Sequence, residues 1–212
     1  YLRLLDFYAY DLKTLAKKIT FDNSILYYLD NNTNNKNNPN ENYSREFLEL
    51  FTILKGEQIG EGNYTTYTES DVQNAAKVFS GIKTKPLRDT LDPDTQIPMG
   101  YVNTSQHATE DKTFSSAFNN LTISGQSTQE GVIQEVDDFV EMIFLQQETA
   151  KSYCRKLYRF YVKSEWNQEV EDDIITPLSD LLIANTFNLL PVLETLLMSQ
   201  HFNDKDTIDN SD

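Results

Sequence analysis

The chain has one cysteine, Cys154, and therefore no internal disulfide. That residue lies in an apolar helical stripe and reads as a small buried hydrophobe rather than a reactive thiol. Glycine and proline are sparse, at 7 and 6 of 212 residues, which excludes collagen-like and glycine-rich low-complexity chains. No apolar run approaches the ~20 residues that a membrane-spanning helix needs, so no membrane insertion is expected of this segment. Positive charge is also in deficit. Lys and Arg number 18 against 33 Asp and Glu, and the formal net charge of −15 repels phosphate backbones and anionic headgroups. Nucleic acid is accordingly not an expected partner. Phosphate loops, serine-nucleophile elbows and strong zinc-ligand spacings are missing too. The opening "YLRLLDFYAYDLKTLAKKI" is already helical in pattern, without initiator methionine or signal peptide, and reads as the start of a fragment of a longer protein.

What the chain does have is aromatic content, 12 Tyr, 12 Phe and 1 Trp, and a length suited to one domain over 1–212. Its punctuation is helical. Leu2, Leu5, Leu12 and Ala16 recur on one face, and Asp22 or Asn23 can cap a short segment through Leu29. Thr68-Glu69-Ser70-Asp71 is a capping signal followed by Val72, Ala75, Ala76 and Phe79, with Gly81 as the stop. Ser127-Thr128-Gln129-Glu130 introduces Val132, Val136, Phe139, Val140 and Ile143. The basic helix "ETAKSYCRKLYRFYV" is expected to pair with the chain's own acidic helices. Between Lys83 and Gln126 no period is sustained, and only "NLTIS" at 120–124 suggests a strand, as one arm of a small β-hairpin. The expected fold is mainly α, a helical bundle with one long irregular loop at about 83–126.

Eight of the twelve residues from Asn31 to Asn42 are asparagine. Counted from Asp30, Asp30, Asn32 and Asn34 occupy positions 1, 3 and 5 of a twelve-residue calcium loop. Lys36 falls at 7, Asn38 at 9 and Glu41 at 12, while Asn35 replaces the glycine of position 6. Asp30, Asn32, Asn34 and Glu41 are the candidate metal ligands, and a divalent cation such as calcium is the candidate cofactor. With two anionic ligands the affinity would be weak. The alternative is a turn whose asparagines bond their own backbone. Asn38, Pro39 and Glu41 also read as N-cap, first and third positions of a helix running to about Leu54. On that helix Asn42, Glu46, Glu49 and Ile53 share a flank beside the apolar face. Carboxylates so placed are candidates for acid–base work, with structural salt bridges as the plainer reading. Arg45 follows Glu41 in the favourable order for an ion pair.

The blocks "LDNNTNNKNNPNENYSREFLELFT" and "YTESDVQNAAKVFSG" together resemble the signature of the bacterial domain-of-unknown-function family 1800. The matching positions are Asn40, Glu41, Asn42, Tyr43, Arg45, Glu46, Glu49, Leu50, Phe51 and Thr52, then Tyr67, Thr68, Glu69, Asp71 and Val72. "HATEDKTF" at 107–114 resembles a His-Asp-x-x-x-Lys element of that family, with Ala108 where aspartate is usual, and Ile82 stands in place of a common tryptophan. The resemblance implies an exported bacterial protein, periplasmic or at the cell surface, whose relatives often occur beside an alkaline-phosphatase-like companion. The composition suits a member of the Bacteroidetes. The expected function is an extracytoplasmic binding or assembly module that meets a protein or glycan at the cell envelope, through residues including Asn40, Asn42, Arg45 and Lys112. The alternative is a hydrolase, perhaps metal-assisted, in which the long loop brings His107 to Glu46 and Glu49 as catalytic groups. His107 itself is expected to face solvent, and His201 to sit near a helix C-terminus.

Overall fold

The computed structural model describes residues 2–203; Tyr1 and 204–212, which the single-domain expectation includes, lie outside the described residues. Helices dominate, as expected. α1 (Leu2–Tyr8) and α2 (Leu12–Ile19) are followed by α3 (Asn23–Tyr28). Asp11 and Asp22 cap the last two, their carboxylates accepting from amides in the first turn. After the asparagine run come α4 (Asn42–Glu46), a π-helical turn (Phe47–Phe51), and a hairpin of β1 (Gln58–Gly60) and β2 (Asn63–Tyr64). α5 (Glu69–Val78) leads to β3 (Ile82–Lys83), β4 (Tyr101–Val102), β5 (Lys112–Thr113) and β6 (Thr122–Ile123). The chain closes with α6 (Gln129–Phe144), α7 (Gln147–Tyr161), α8 (Gln168–Val170), a π turn (Glu171–Ile175), α9 (Thr176–Ala184), α10 (Leu189–Met198) and α11 (Gln200–Asn203).

α6, the longest of the described helices, holds the centre. It packs on α2, α5 and α7 and touches β4 and β6, while α9 and α10 cover α7. Its apolar stripe of Val132, Val136, Phe139, Val140 and Ile143 is fully buried, as the spacing predicts, although the N-cap is Thr128 rather than Ser127. Phe139 meets Phe47, Phe79 and Phe114, with ring centroids 5.9, 5.3 and 5.3 Å away, and Tyr43 sits edge-on to Phe79 at 4.8 Å. Such geometry suits the ring quadrupoles. Cys154 is buried, and burial pushes its thiol up to about 12.

The segment 83–126 is mostly irregular, as expected, and includes the small hairpin, β5 with β6; β3 also pairs with β4, both pairs are antiparallel, and Phe114, Phe118 and Ile123 join the main core. Strands of two residues leave no readable alternation in the sequence. One expectation needs correction. The helix after the asparagine run begins at Asn42, not at Pro39, because Asn38 is spent in a bridge with Asn35. It also stops short of Leu54: the π turn ends at Phe51, where Thr52 leaves helical geometry, and Leu54 itself is left-handed with φ 66°. The capping box at Thr68 and Asp71 forms reciprocally, and α5 ends as read. Gly81 has φ 76°, and a Cβ there would lie 2.6 Å from the Asn103 carbonyl oxygen and 2.9 Å from the His107 nitrogen. Only glycine admits that approach.

Candidate functional site

The asparagine run is a clasp. Asn31 and Asn34 are fully buried, and their side-chain amides reach carbonyls at the end of α5 and in β3. Asn31 Nδ2 donates to Phe79 O and Ile82 O at 3.2 and 3.3 Å, and Asn34 Nδ2 to Ala76 O at 2.8 Å. Asn34 Oδ1 accepts from the Asn40 amide, and Asn40 Nδ2 donates to Thr33 Oγ1 at 2.9 Å and to Asp30. Asn42 Nδ2 donates to Leu29 O at 2.9 Å, so α3 is fastened to α4. An amide group both donates and accepts, which lets one residue type satisfy every kind of orphaned backbone group here.

This use of the oxygens replaces the expected calcium sphere of Asp30, Asn32, Asn34 and Glu41. Asn32 Oδ1 accepts from the amide and hydroxyl of Thr84, both at 3.0 Å, and Glu41 receives Arg45 at 3.1 Å. The cation at the loop is the ammonium of Lys83, which donates to Asn32 O at 2.6 Å and Asn34 O at 2.8 Å. Burial lowers its pKa below the ordinary lysine value. A metal ion would have to displace it. The left-handed residue is Asp30, with φ 59°, rather than Asn35. Among the described residues no group of three or more His, Cys, Asp or Glu is arranged to hold a metal.

Arg45 makes the expected pair with Glu41 and a second, two-pronged one with Glu69 on α5, at 2.6 and 3.1 Å. That fork holds the Glu69 carboxyl below the usual carboxylate range. Glu49 accepts from Tyr67 Oη at 2.7 Å and pairs with Lys55 at 2.9 Å. Glu46 is half-buried and makes no hydrogen bond or ion pair among the described residues.

His107 does not meet these glutamates. It is fully buried, contrary to the expected exposure, and so is Lys112. His107 Nε2 lies 3.1 Å from Glu135 Oε1, and its Nδ1 lies 2.8 Å from the Ser80 carbonyl oxygen. Lys112 Nζ donates to Glu135 Oε2 and to Ala108 O, each at 2.6 Å. Glu135, itself 1% exposed, also accepts from the Gln126 amide. The cluster therefore ties both ends of the 107–126 segment to α6. Each of its side-chain polar atoms has a partner within the fold, and no described cavity is lined by it. Ala108, where aspartate was expected, supplies only its backbone.

Glu135 escaped the sequence reading. The available signal was its place three residues after Val132, at the margin of a stripe with no exposed partner. His201, on α11, lies 2.9 Å from Tyr158 Oη and stacks on that ring.

A cleft of about 490 Å³ opens between the 54–66 segment and α7, lined by Lys55, Glu148, Arg155, Lys156, Arg159 and Trp166 among others. Arg155 behaves as expected of the basic helix, pairing with Glu148 at 2.9 Å and Glu171 at 2.6 Å. Lys156 and Arg159 do not. Lys156 Nζ donates to Leu50 O at 2.6 Å and lies 5.3 Å from the Tyr153 ring centroid, and burial takes its pKa down to about 8. Arg159 rests on Trp166, with Cζ 5.5 Å from the ring centroid, and its N–H groups make no hydrogen bond among the described residues.

No match was found among curated proteins or solved structures. The family model described as "Protein of unknown function (DUF1800)" matches residues 10–211. With nearly the whole chain covered, including the asparagine clasp, the Arg45 fork and the His107 to Lys112 element, the chain belongs to the DUF1800 family.

Proposed function

We propose that the chain is a binding module of the bacterial cell envelope, periplasmic or surface-exposed, that engages a protein or glycan through the cleft between the 54–66 segment and α7. The observation that carries this reading is where unspent chemistry lies. The convergent acid–base groups, His107, Lys112 and Glu135, are sealed in the core and consumed by the fold. Arg159 and Trp166 instead line an open concavity, a cation and an aromatic surface with donors left over. Arg159 projects from α7 and Trp166 from the segment between α7 and α8, while the residues on either side of the β1–β2 hairpin supply the facing wall.

Thr65 is exposed and lines the cleft, so Thr65→Phe fills it without touching a charge. Binding of the purified chain to fractionated envelope protein and glycan, measured by surface plasmon resonance, is expected to be lost in Thr65→Phe and retained in Tyr28→Ala on the exposed side of α3. Equal binding by wild type and Thr65→Phe would sink the assignment of the cleft.

A further inference from the structure

Within this acidic chain the α7 wall of the cleft is an exception. Lys156 and Arg159 are three residues apart, hence neighbours on one helical face. Neither has a carboxylate partner among the described residues. The other cations of the cleft are neutralised, Lys55 by Glu49 and Arg155 by Glu148 and Glu171. Lys156 keeps two ammonium protons beyond the one given to Leu50 O, and Arg159 keeps its whole guanidinium fork. Parking a guanidinium on an indole holds it in place without using its N–H groups. Two oriented cations with unspent donors in a partly desolvated cleft are a receptor for a group with several acceptor oxygens.

We propose that the cleft binds an oxyanion, a carboxylate or phosphate group carried by the ligand, between Lys156 and Arg159. The proposal rests on the binding reading above and names the chemistry of its ligand. Titration of Lys156 gives a second handle. The other charged groups lining the cleft are Lys55 and Glu57 on the facing wall and Glu148, Arg155 and Arg159 on its own helix, and the shift of Lys156 comes from burial. Binding is expected to weaken between pH 7 and 9, as the Lys156 ammonium loses its proton near 8.

Trp166 is the chain's one tryptophan, so its fluorescence reports on Arg159 directly. Inorganic phosphate and glucuronate would be titrated separately into the wild type, Arg159→Gln, Lys156→Gln and Lys156→Gln/Arg159→Gln, with circular dichroism to check folding. Arg159 is exposed, and its single variant is expected to fold normally. The expected result is a saturable change in emission, about tenfold weaker in Arg159→Gln and weaker again in the double variant. The weakening above pH 8 should be present in the wild type and absent without Lys156. Tighter binding of phosphate identifies a phosphorylated ligand, and tighter binding of glucuronate a carboxylated one. Equal affinity in wild type and double variant, or no saturable response to either probe, overturns the oxyanion. If envelope binding still depends on Thr65 in that case, the cleft stands and only its ligand chemistry is wrong.

Discussion

Replacing Glu135 by glutamine keeps the side chain's shape and removes the charge that faces Lys112 Nζ 2.6 Å away. Lys112 is fully buried, so its ammonium has no route to water in the folded state. Breaking a buried pair by removing one partner costs ~3–5 kcal/mol, because the other charge is left uncompensated. Domains typically have only ~5–15 kcal/mol of stability, so the loss is a large share of the whole. In urea, with a slope of ~2–3 kcal/mol per molar, the midpoint is expected to fall by about 1–2.5 M. The double variant Glu135→Gln/Lys112→Met removes the orphaned charge and should recover a substantial part of that loss, although His107 and the Gln126 amide keep only a neutral partner. A fall below ~1 kcal/mol for the single variant, the size found for exposed pairs, would refute the reasoning. So would a double variant no more stable than the single one.

Asn34→Ala strips Ala76 O and the Asn40 amide of their partners and is expected to cost about 2–4 kcal/mol in urea unfolding, against under ~0.5 kcal/mol for the exposed Asn37→Ala. Equal effects would show that the clasp contributes nothing. Calcium titration calorimetry should give no isotherm, because Lys83 holds the loop carbonyls; a saturating isotherm that disappears in Glu41→Gln would restore the calcium loop. For Lys156, a folded pKa of about 8 lies below the unfolded value of ~10.4. Between those values the unfolded chain binds more protons, so this residue's contribution to stability rises with pH through that window. The difference in stability between wild type and Lys156→Met should therefore shift toward the wild type from pH 8 to 10, and a flat difference would contradict the burial of that ammonium.

Local signals in the sequence were dependable where structure is local. The Thr68–Asp71 box, the Val132 to Ile143 stripe, buried Cys154 and the Glu41–Arg45 pair are all set by neighbours within a few turns of one helix. Asn35, whose side chain accepts from the Asn37 and Asn38 amides, also behaves as the self-bonding turn residue that its type suggests. What stayed hidden depends on distance along the chain. Asn34 reaches Ala76, 42 residues away, and Lys112 reaches Glu135, 23 away, and no period or spacing encodes such a meeting. His107 looked exposed because its surroundings are polar in sequence; what satisfies its ring lies far off in the chain, the Ser80 carbonyl and Glu135.

The clasp also gives this fold a chemical lifetime. Asparagine side chains hydrolyse slowly to carboxylates, a change that swaps a donor for an acceptor and adds a charge. At Asn34 an oxygen would then stand 2.8 Å from the Ala76 carbonyl oxygen, and at Asn31 near those of Phe79 and Ile82. Each former attraction becomes a repulsion inside the core, where water cannot screen it. Tight packing is also the protection, since hydrolysis needs the backbone to bend toward the amide. The molecule thus ages from its exposed asparagines inward, and the buried pair marks the point at which ageing becomes unfolding.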